Sequence, residues 1–280
     1  MNVPFDFTLA LVGAGNMGGS MLAGWLGEGL DPALVTVIDP SPPPPAAGLI
    51  AETGIHIEEA PPDGLAPDVL VLAVKPQIMD AVMHGAARLM GPATVAVSVA
   101  AGKTLAQLEA GLTAGPDARP SVVRAMPNTP ALIRRGITVA CANRFVAAAQ
   151  RGRVDRLLRA VGTVEWVEDE TLIDAVTAVS GSGPAYVFHL AECLAQAGEA
   201  AGLPSDLAMK LARETVSGAG ELLARSPDTP ARLRQNVTSP NGTTAAALAV
   251  LMGQGGQGGM ADLMQRAVAA ARRRSQELSG

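Results

Sequence analysis

The sequence contains few of the residues from which metal sites and disulfide frameworks are built. Cys141 and Cys193 are its two cysteines, and neither belongs to a CxxC motif or a Cys/His cluster. This spacing excludes a disulfide framework and a zinc site, so we expect two buried thiols in a reducing cytosol. The three histidines, His56, His84 and His189, are also isolated, and we therefore expect no metal.

Concentrated charge and a long apolar run are absent from the sequence too. The net charge is −5, and the 21 basic residues are scattered except for a short run at 272–274, which is more typical of a solvated helix face than of a nucleic-acid contact. The opening stretch MNVPFDFTLALVGAG has no basic region, and its apolar part stops at a glycine-rich turn, which argues against a signal peptide or a membrane span. We expect a cytoplasmic protein that binds neither nucleic acid nor membrane.

What the sequence does contain is enough apolar residues for a sizeable core. With 280 residues, 48% of them apolar and 17% charged, it suits one large domain or two ordinary ones. Up to residue 168, short apolar runs alternate with amphipathic stretches, which predicts βαβ units and a mostly parallel sheet. The predicted strands are Leu9–Val12, Leu34–Ile38, Val69–Val74, Thr94–Val99, Ser121–Ala125 and Ile137–Ala140. The predicted helices are Met17–Gly29, Pro76–Met90, Leu105–Leu112 and Val146–Val161.

The strand signal disappears from Leu172 onward, and long Ala/Leu-rich segments follow. The predicted helices there are Leu172–Val179, Ala185–Ala201, Ser205–Arg225, Thr229–Asn236, Thr244–Leu251 and Met260–Leu278. Several are apolar nearly all round, which predicts burial against a second copy of the chain, and GQGGQGG (253–259) predicts a flexible joint. We therefore expect an α/β domain over 1–168 and an all-α dimerisation domain over 169–280.

A glycine-rich motif directly follows the first predicted strand. Gly13, Gly15 and Gly18 have GxGxxG spacing and open a helix. The first glycine permits a tight turn, the second lets the backbone approach a pyrophosphate, and the third lets helix and strand pack closely. The first helical amides, those of Asn16 and Met17 among them, then face the phosphate. A structural glycine turn is the alternative, but the strand, helix and following acid favour a Rossmann-like, dinucleotide-binding domain.

Asp39 and Ser41 bear on the choice between NADH and NADPH. Asp39 ends the predicted strand VTVID, 21 positions after Gly18, where a carboxylate can accept hydrogen bonds from the adenosine ribose and repels a 2′-phosphate. This favours NADH. Ser41 follows closely and can donate to such a phosphate, so both cofactors stay open. The proline run 42–45 beyond it is predicted to be a stiff loop.

Two further predicted strands end in short motifs, AVKP and AAG, where a doubly wound sheet has its ligand crevice. Lys75 is one of three lysines in the chain. It is either a solvated side chain at a strand end or a cofactor contact, and we favour the contact. The cofactor contacts expected from these two motifs are Ala73, Val74, Lys75, Pro76, Ala100, Ala101 and Gly102.

Several motifs together carry a resemblance to a known family. GAGNMG, AVKP, AAG and RAMPNTP (124–130) are joined by SGSGPAY (180–186) and NVTSPNGTTAAAL (236–248). With them, the sequence resembles pyrroline-5-carboxylate reductase over nearly its whole length. The resemblance implies reduction of Δ1-pyrroline-5-carboxylate to L-proline by NADPH or NADH, in a dimer whose helical domains interlock. The resemblance does not determine whether such dimers form a ring or whether the enzyme also acts on larger cyclic imines.

The motif NVTSPNGTTAAAL suits a small cyclic imine that bears a carboxylate. A turn leading into a helix N-terminus offers backbone amides and a favourable dipole to an anion without an arginine. The resemblance implies that the carboxylate lies on Ser239, Gly242 and Thr243, and that Thr244 is catalytic through a hydrogen bond to the ring nitrogen. Taken alone, a hydroxyl residue before this helical run indicates a helix cap.

The resemblance implies roles for other positions and also has departures. It places Glu170 on the substrate side, although an acid at a helix start is an equally good interpretation. It directs Asn236 toward the cofactor, from the partner chain, while SGSGPAY is interpreted as a close-packing motif. The family usually reads SPGG where this chain has Asn241, which suits a left-handed turn. The family often has an asparagine where this chain has Ala60, which puts one adenosine contact in doubt.

Two other classes of function fit part of the pattern. A β-hydroxyacid dehydrogenase also joins a Rossmann domain to helices, but it needs a lysine on the first long helix of the second domain, and residues 172–202 contain none. A regulatory protein that senses NAD(P) without turnover has no use for the second anion site that TSPNGTT predicts.

Overall fold

The computed structural model describes residues 5–253 and 258–279. This part of the chain divides into two compact units: unit 1 extends to Gly181 and resumes at Arg272, and unit 2 is Ser182–Ala271. The functional boundary proposed after residue 168 stays a prediction. Residues 254–257 of the predicted joint GQGGQGG lie outside the described residues.

Unit 1 is built on a mostly parallel sheet, as the sequence predicts. Its strands, within the described residues, are β1 (Leu9–Val12), β2 (Val35–Ile38), β3 (His56–Glu58), β4 (Val69–Leu72), β5 (Val95–Ser98), β6 (Ser121–Met126), β7 (Gly136–Ala142) and β8 (Gly162–Trp166). They lie in the order β3-β2-β1-β4-β5-β6-β7-β8. All neighbours are parallel except β6 and β7. The carboxyl ends of β1, β2, β4 and β5 therefore meet at one edge, which positions the crevice.

Helices cover both faces of this sheet. Those of unit 1 are α1 (Asn16–Gly27), α2 (Pro44–Thr53), α3 (Met79–Ala86), α4 (Leu105–Leu112), α5 (Ala148–Arg159) and the short α6 (Ile173–Val176). Strands β1, β4 and β5 are buried at every position, because helices pack on both sides of them. Alternate residues serve different cores: Leu9 and Leu11 of β1 belong to one cluster, and Ala10 and Val12 belong to the other.

Three elements of unit 1 differ from the sequence prediction. The proline run predicted as a stiff loop instead starts α2, with Pro43 as N-cap and Pro44 as the first helical residue. Proline suits that position because it has no amide hydrogen to satisfy and its φ is already helical. The edge strands β3 and β8 were not predicted. Their patterns are weak because β3 has three residues and β8 buries only Val164.

Unit 2 is entirely helical in its described residues. It contains α7 (Gly183–Ala200), α8 (Ser205–Arg225), α9 (Pro230–Asn236), α10 (Thr243–Met252) and the first part of α11 (Met260–Ser279), whose last turns belong to unit 1. Helices α7 and α8 approach closely at Gly198, where an added Cβ would meet the Cβ of Ala208 at 3.2 Å. The buried apolar side chains described in this unit are three alanines, Ala195, Ala208 and Ala212.

The two cysteines differ in burial, as the apolar side chains of the two units do. Cys141 lies buried on β7, as predicted, but Cys193 is exposed on α7, so the prediction of two buried thiols is wrong for Cys193. An apolar sequence around a helical residue does not bury it unless another element covers that face. The described helices include none with the length and apolar character needed to span a membrane.

Candidate active site

The glycine-rich turn between β1 and α1 has the geometry of a phosphate cradle. Gly13 has a φ of +90°, and an added Cβ would lie 2.8 Å from Val74 Cγ1. A Cβ on Gly18 would collide with the Gly13 carbonyl oxygen, so this glycine lets α1 pack against the turn. Gly15 differs, because apart from its neighbours in the chain no atom lies within 4 Å of its added Cβ. The space next to Gly15 is open to a ligand.

The start of α1 leaves donors available beside that space. Gly15 is the N-cap residue, and no side chain caps the helix. The first amides of a helix have no partner within the helix, so those of Asn16 and Met17 are oriented to bind an anion. Asn16 is exposed and Met17 is half-buried.

Asp39 is placed at the end of β2 but has two contacts of its own. Its Oδ2 accepts a hydrogen bond from the Ala14 amide at 2.7 Å, and its Oδ1 accepts one from the Ser41 amide at 2.9 Å. Asp39 therefore ties the glycine-rich turn to the loop after β2. The GxGxxG spacing did not reveal this contact, since it depends on how two strand ends meet.

A cavity of about 340 Å³ lies beside Asp39 at this edge of the sheet. Val12, Gly13 and Ile38 line it from the ends of β1 and β2, and Ala60 and Val74 line it from the loops that flank β4. Its volume and its apolar walls beside a carboxylate suit an adenosine group. Ala60 does line this cavity, so the asparagine contact that is often present in the family is absent from its wall.

The structure brings the two remaining cofactor motifs to the same edge. Ala73 donates its amide hydrogen to the Val12 carbonyl at 2.8 Å, which places AVKP beside the glycine-rich turn. Lys75 and Pro76 are exposed there. After β5, Ala100 is buried, Ala101 is half-buried, and Gly102 turns with a φ of +76°. Because β5 lies on the other side of β1 from β2, this second loop is on the side of the crevice away from the adenosine cavity.

RAMPNTP and the beginning of SGSGPAY contact each other within unit 1. Asn128 donates from Nδ2 to the Ser180 carbonyl at 3.2 Å and accepts from the Ile137 amide at 3.0 Å. An added Cβ on Gly181 would lie 2.6 Å from Met126 Cε. Residues 177–181 form a single turn of π-helix, a distortion often found near functional sites. This contact joins the motif to the last residue of β6 and not to another helix, so close helix packing by the motif stays a prediction.

The turn at 238–242 in unit 2 leads directly into α10. Asn241 has a φ of +60°, so it does adopt the left-handed geometry that the sequence predicts for it. The Gly242 amide donates to the Ser239 carbonyl at 3.1 Å. A Cβ on Gly242 would collide with the Ser239 hydroxyl, so a larger residue here would displace that hydroxyl. The turn is thus compact and fixed by its own contacts.

The cap of α10 bears on the two interpretations of the threonines that precede the helical run. Taken alone they indicate a cap, but Gly242 is the N-cap and no side chain caps the helix. Glycine is tolerated at an N-cap. Thr243 and Thr244 are instead the first two helical residues, so their side chains are not used as caps. Asn236, exposed, ends the preceding helix α9.

Glu170 is half-buried and pairs with a buried arginine, a contact that the sequence analysis did not identify. Its Oε1 accepts hydrogen bonds from Arg124 Nη1 at 2.8 Å and from the Leu105 amide at 2.7 Å. Arg124 is 4% exposed although it lies in the middle of β6. Burial, with the nearby Glu170 carboxylate next, raises the pKa of the Cys141 thiol above its ordinary value. An arginine inside an apolar strand was the available signal that an acid must face it.

Comparisons with known proteins bear on this arrangement. The family described as "Pyrroline-5-carboxylate reductase dimerisation" matches residues 170–278, and the family described as "NADP oxidoreductase coenzyme F420-dependent" matches residues 8–102. Pyrroline-5-carboxylate reductase from Pseudomonas aeruginosa is 43% identical to this chain, and the match covers 97% of this chain and 96% of that protein. The chain belongs to the pyrroline-5-carboxylate reductase family.

Solved structures of pyrroline-5-carboxylate reductases have the same fold. A pyrroline-5-carboxylate reductase from Coxiella burnetii superposes with a TM-score of 0.88 at 35% identity and covers 98% of this chain and 99% of its own. The pyrroline carboxylate reductase of Plasmodium falciparum, crystallised with NADP bound, gives a TM-score of 0.82 at 26% identity, with 99% and 100% coverage. These matches confirm the Rossmann-like domain and the helical dimerisation domain predicted from the sequence.

Proposed function

We propose that this chain reduces Δ1-pyrroline-5-carboxylate to L-proline with NADH or NADPH, as the last step of proline synthesis. The observation that carries the proposal is the fixed turn at 239–242, which opens a helix that no side chain caps, in a chain of the pyrroline-5-carboxylate reductase family. A second anion site of this kind is needed by an enzyme that binds an imino acid as well as a dinucleotide. A protein that only senses NAD(P) does not need it.

The turn accounts for binding of the substrate carboxylate. The Ser239 hydroxyl and the amides of Gly242 and Thr243 offer hydrogen bonds, and the positive end of the α10 dipole favours negative charge there. Because the site is built from backbone amides on a fixed turn, little conformational entropy is lost when the carboxylate binds. No arginine or lysine is required for this step.

Thr244 is the proposed catalytic residue. Its side chain is half-buried at the second position of α10, next to the proposed carboxylate site, where its hydroxyl can orient the ring nitrogen. A protonated imine carbon is already electrophilic, so the chain has to supply alignment rather than a strong acid. The nicotinamide supplies the hydride when it is bound.

The cofactor residues follow from the edge of the sheet. An open space beside Gly15 and the free amides at the start of α1 fit a pyrophosphate, and the cavity beside Asp39 fits the adenosine. Asn236 is proposed to reach the cofactor of the partner chain. The proposed cofactor contacts are Gly13, Gly15, Asn16, Met17, Gly18, Asp39, Ser41, Ala73, Val74, Lys75, Pro76, Ala100, Ala101, Gly102 and Asn236.

We also propose how the chain assembles and where it acts. The family match at residues 170–278 supports self-association through the helical unit. We propose a dimer with interlocking helical domains, either alone or as part of a ring of dimers. The exposed apolar side chains of α7 and α8 support the dimer. We also propose that the protein acts in the cytoplasm and has no nucleic-acid or membrane partner.

The test is turnover of pyrroline-5-carboxylate with both cofactors, in wild type and in Thr244→Ala. We expect the variant to lose about ten- to a hundredfold in kcat/KM, the scale of one charge-assisted hydrogen bond, with unchanged cofactor binding. Thr238→Ala is the matched control, because its hydroxyl donates to the Arg234 carbonyl at 2.6 Å within the same segment. Near-wild-type turnover by Thr244→Ala removes this residue from the mechanism, and a β-hydroxyacid oxidised faster than the imine is reduced contradicts the proposed reaction.

A further inference from the structure

Arg124 is a buried cation in the middle of the sheet. On β6 it is next to Ser98 of β5 and opposite Cys141 of β7. Its Nη1 donates to Glu170 Oε1 at 2.8 Å, and its Nη2 lies 3.9 Å from Asp174 Oδ1. A guanidinium that is 4% exposed needs such partners, because an uncompensated buried charge is strongly destabilising. The pairing fixes where both acids lie.

Glu170 also contacts the beginning of α4. The oxygen that accepts from Arg124 also accepts from the amide of Leu105, the first residue of α4. The carboxylate lies at the positive end of the helix dipole, which strengthens the contact. The loop that carries Ala101 and Gly102 ends at this helix. Glu170 therefore holds the far end of the loop.

Asp174 joins the same group of residues to the last helix. Ser275 on α11 is 5% exposed and donates its hydroxyl hydrogen to Asp174 Oδ1 at 2.7 Å. One turn later, the backbone of Leu278 lies against the loop, since a Cβ added to Gly102 would be 3.0 Å from the Leu278 carbonyl oxygen. All of these residues belong to unit 1. The loop is thus held between the start of α4 and the last turn of α11.

We propose that Arg124, Glu170, Asp174 and Ser275 are positioning residues, which hold the loop at Ala100–Gly102 in the shape that receives the nicotinamide end of the cofactor. The loop follows β5, on the side of the crevice away from the adenosine cavity. The inference rests on the proposed function, because that function assigns the loop to the cofactor. None of the four side chains has to touch the cofactor or the substrate. Through its contacts with Asp174 and Gly102, the C-terminal end of α11 then affects the affinity for the cofactor, although it is distant from the loop in the sequence.

The first test is a pair of serine variants on the same helix. Ser275→Ala removes the hydrogen bond to Asp174 and little volume. Ser279→Ala is the matched control, because its hydroxyl donates only to the Ser275 carbonyl, at 3.1 Å within α11. Calorimetric titration of the full chain with NADPH and NADH measures the effect. We expect Ser275→Ala to bind both cofactors about three- to fivefold more weakly than wild type, which is the scale of one hydrogen bond. Ser279→Ala should bind them like wild type.

The second test separates the two roles considered for Glu170. Glu170→Gln keeps the size of the side chain but removes the negative charge that pairs with Arg124 and faces the start of α4, so both contacts are weakened. A positioning role predicts about tenfold weaker cofactor binding, on the scale of a charge-assisted hydrogen bond, with the KM for pyrroline-5-carboxylate unchanged. Direct contact with the substrate predicts the reverse split, a raised KM for the imine and normal cofactor binding.

Thermal unfolding of the same variants completes the test. If Ser275→Ala and Glu170→Gln unfold at lower temperature but bind both cofactors like wild type, the four residues have a structural role only and the inference is overturned. If wild type binds cofactor and does not reduce the imine, the proposed function fails instead. The binding comparison among the variants does not depend on turnover, so the two failures are distinguishable.

Discussion

Units 1 and 2 differ in where their apolar side chains lie. In unit 1 large side chains fill two clusters, one on each face of the sheet, and Trp25, Leu72 and Leu108 are completely buried. In unit 2 the described buried apolar side chains are three alanines, and most of the large ones are exposed. These exposed side chains are Val187, Phe188, Leu190, Leu194, Leu203, Leu207, Met209, Leu211, Leu222, Leu223, Val237, Val250, Leu251, Met252, Met260, Leu263 and Met264.

The contrast indicates that unit 1 completes its core within one chain and that unit 2 does not. An exposed apolar surface of this extent is typical of a protein–protein interface. The family that matches residues 170–278 is described by dimerisation, which accounts for the surface. Stability and assembly should therefore separate by unit: changes inside unit 1 alter folding or cofactor binding, and changes on unit 2 alter the oligomer.

The largest effect is expected from a charge on the surface of α7. Val187, Leu190 and Leu194 are 43–45% exposed and share one helix face, by their spacing of three and four residues. Leu190→Asp would bury an unpaired carboxylate in an interface, so we expect a monomer at micromolar concentration and at least about a hundredfold loss of reductase activity. Light scattering and steady-state turnover measure the two results.

A matched control for this prediction lies in unit 1. Ile57 on the edge strand β3 is 41% exposed, close to the value for Leu190. Ile57→Asp should leave the oligomer unchanged, because the apolar surface assigned to assembly belongs to unit 2. A fully active dimer of Leu190→Asp, or an equal loss of assembly in Ile57→Asp, would break the comparison between the units.

An intermediate effect is expected from two glycines of the turn before α1. Gly18→Ala puts a Cβ onto the Gly13 carbonyl oxygen, so we expect about 1–3 kcal/mol of lost stability together with lost cofactor binding. Gly15→Ala meets no protein atom within 4 Å, and Gly15 has a φ of −64° that alanine accepts. We expect unchanged stability and about thirtyfold weaker binding of NAD(P)H, because the methyl group occupies the space assigned to the pyrophosphate.

Thermal unfolding and calorimetric titration distinguish these two glycine variants. Gly48→Ala in α2 is the control, since no atom lies within 4 Å of its added Cβ and alanine stabilises a helix interior. Gly48→Ala should bind cofactor normally and unfold at a slightly higher temperature than wild type. Normal cofactor binding by Gly15→Ala would show that the pyrophosphate lies elsewhere.

The same contrast explains how much the sequence predicted. Periodicity identified the central strands and the long helices, since buried parallel strands and apolar helices have strong local patterns. The motifs identified the edge of the sheet and the turn before α10. Contacts between distant residues were not predictable from local patterns: Arg124 with Glu170, Ser275 with Asp174, and the tie from Asp39 to Ala14.

Burial was the other quantity that the sequence could not provide. The pattern around Cys193 is as apolar as that of a core helix, yet the residue is exposed in the single chain. A threonine cap on α10, which was the alternative to substrate contact for Thr244, is likewise absent, because Gly242 is the N-cap residue. Both differences come from tertiary and quaternary context, which overrides local preference.

The smallest effect is expected in the choice between NADH and NADPH. Asp39 borders the adenosine cavity, where its charge repels a 2′-phosphate, and we predict that NADH is used at least as well as NADPH. Asp39→Ser should shift the kcat/KM ratio toward NADPH by about tenfold. It should also weaken binding of both cofactors, because Asp39 holds the amides of Ala14 and Ser41.

Asp39→Asn is the control for this prediction. It removes the charge and keeps an oxygen for the Ala14 amide, so it should shift the ratio with less loss of overall binding. Steady-state kinetics with both cofactors decide between the two roles of this carboxylate. A wild type that strongly prefers NADPH, with a ratio that neither variant changes, would show that Asp39 only supports the turn and does not select the cofactor.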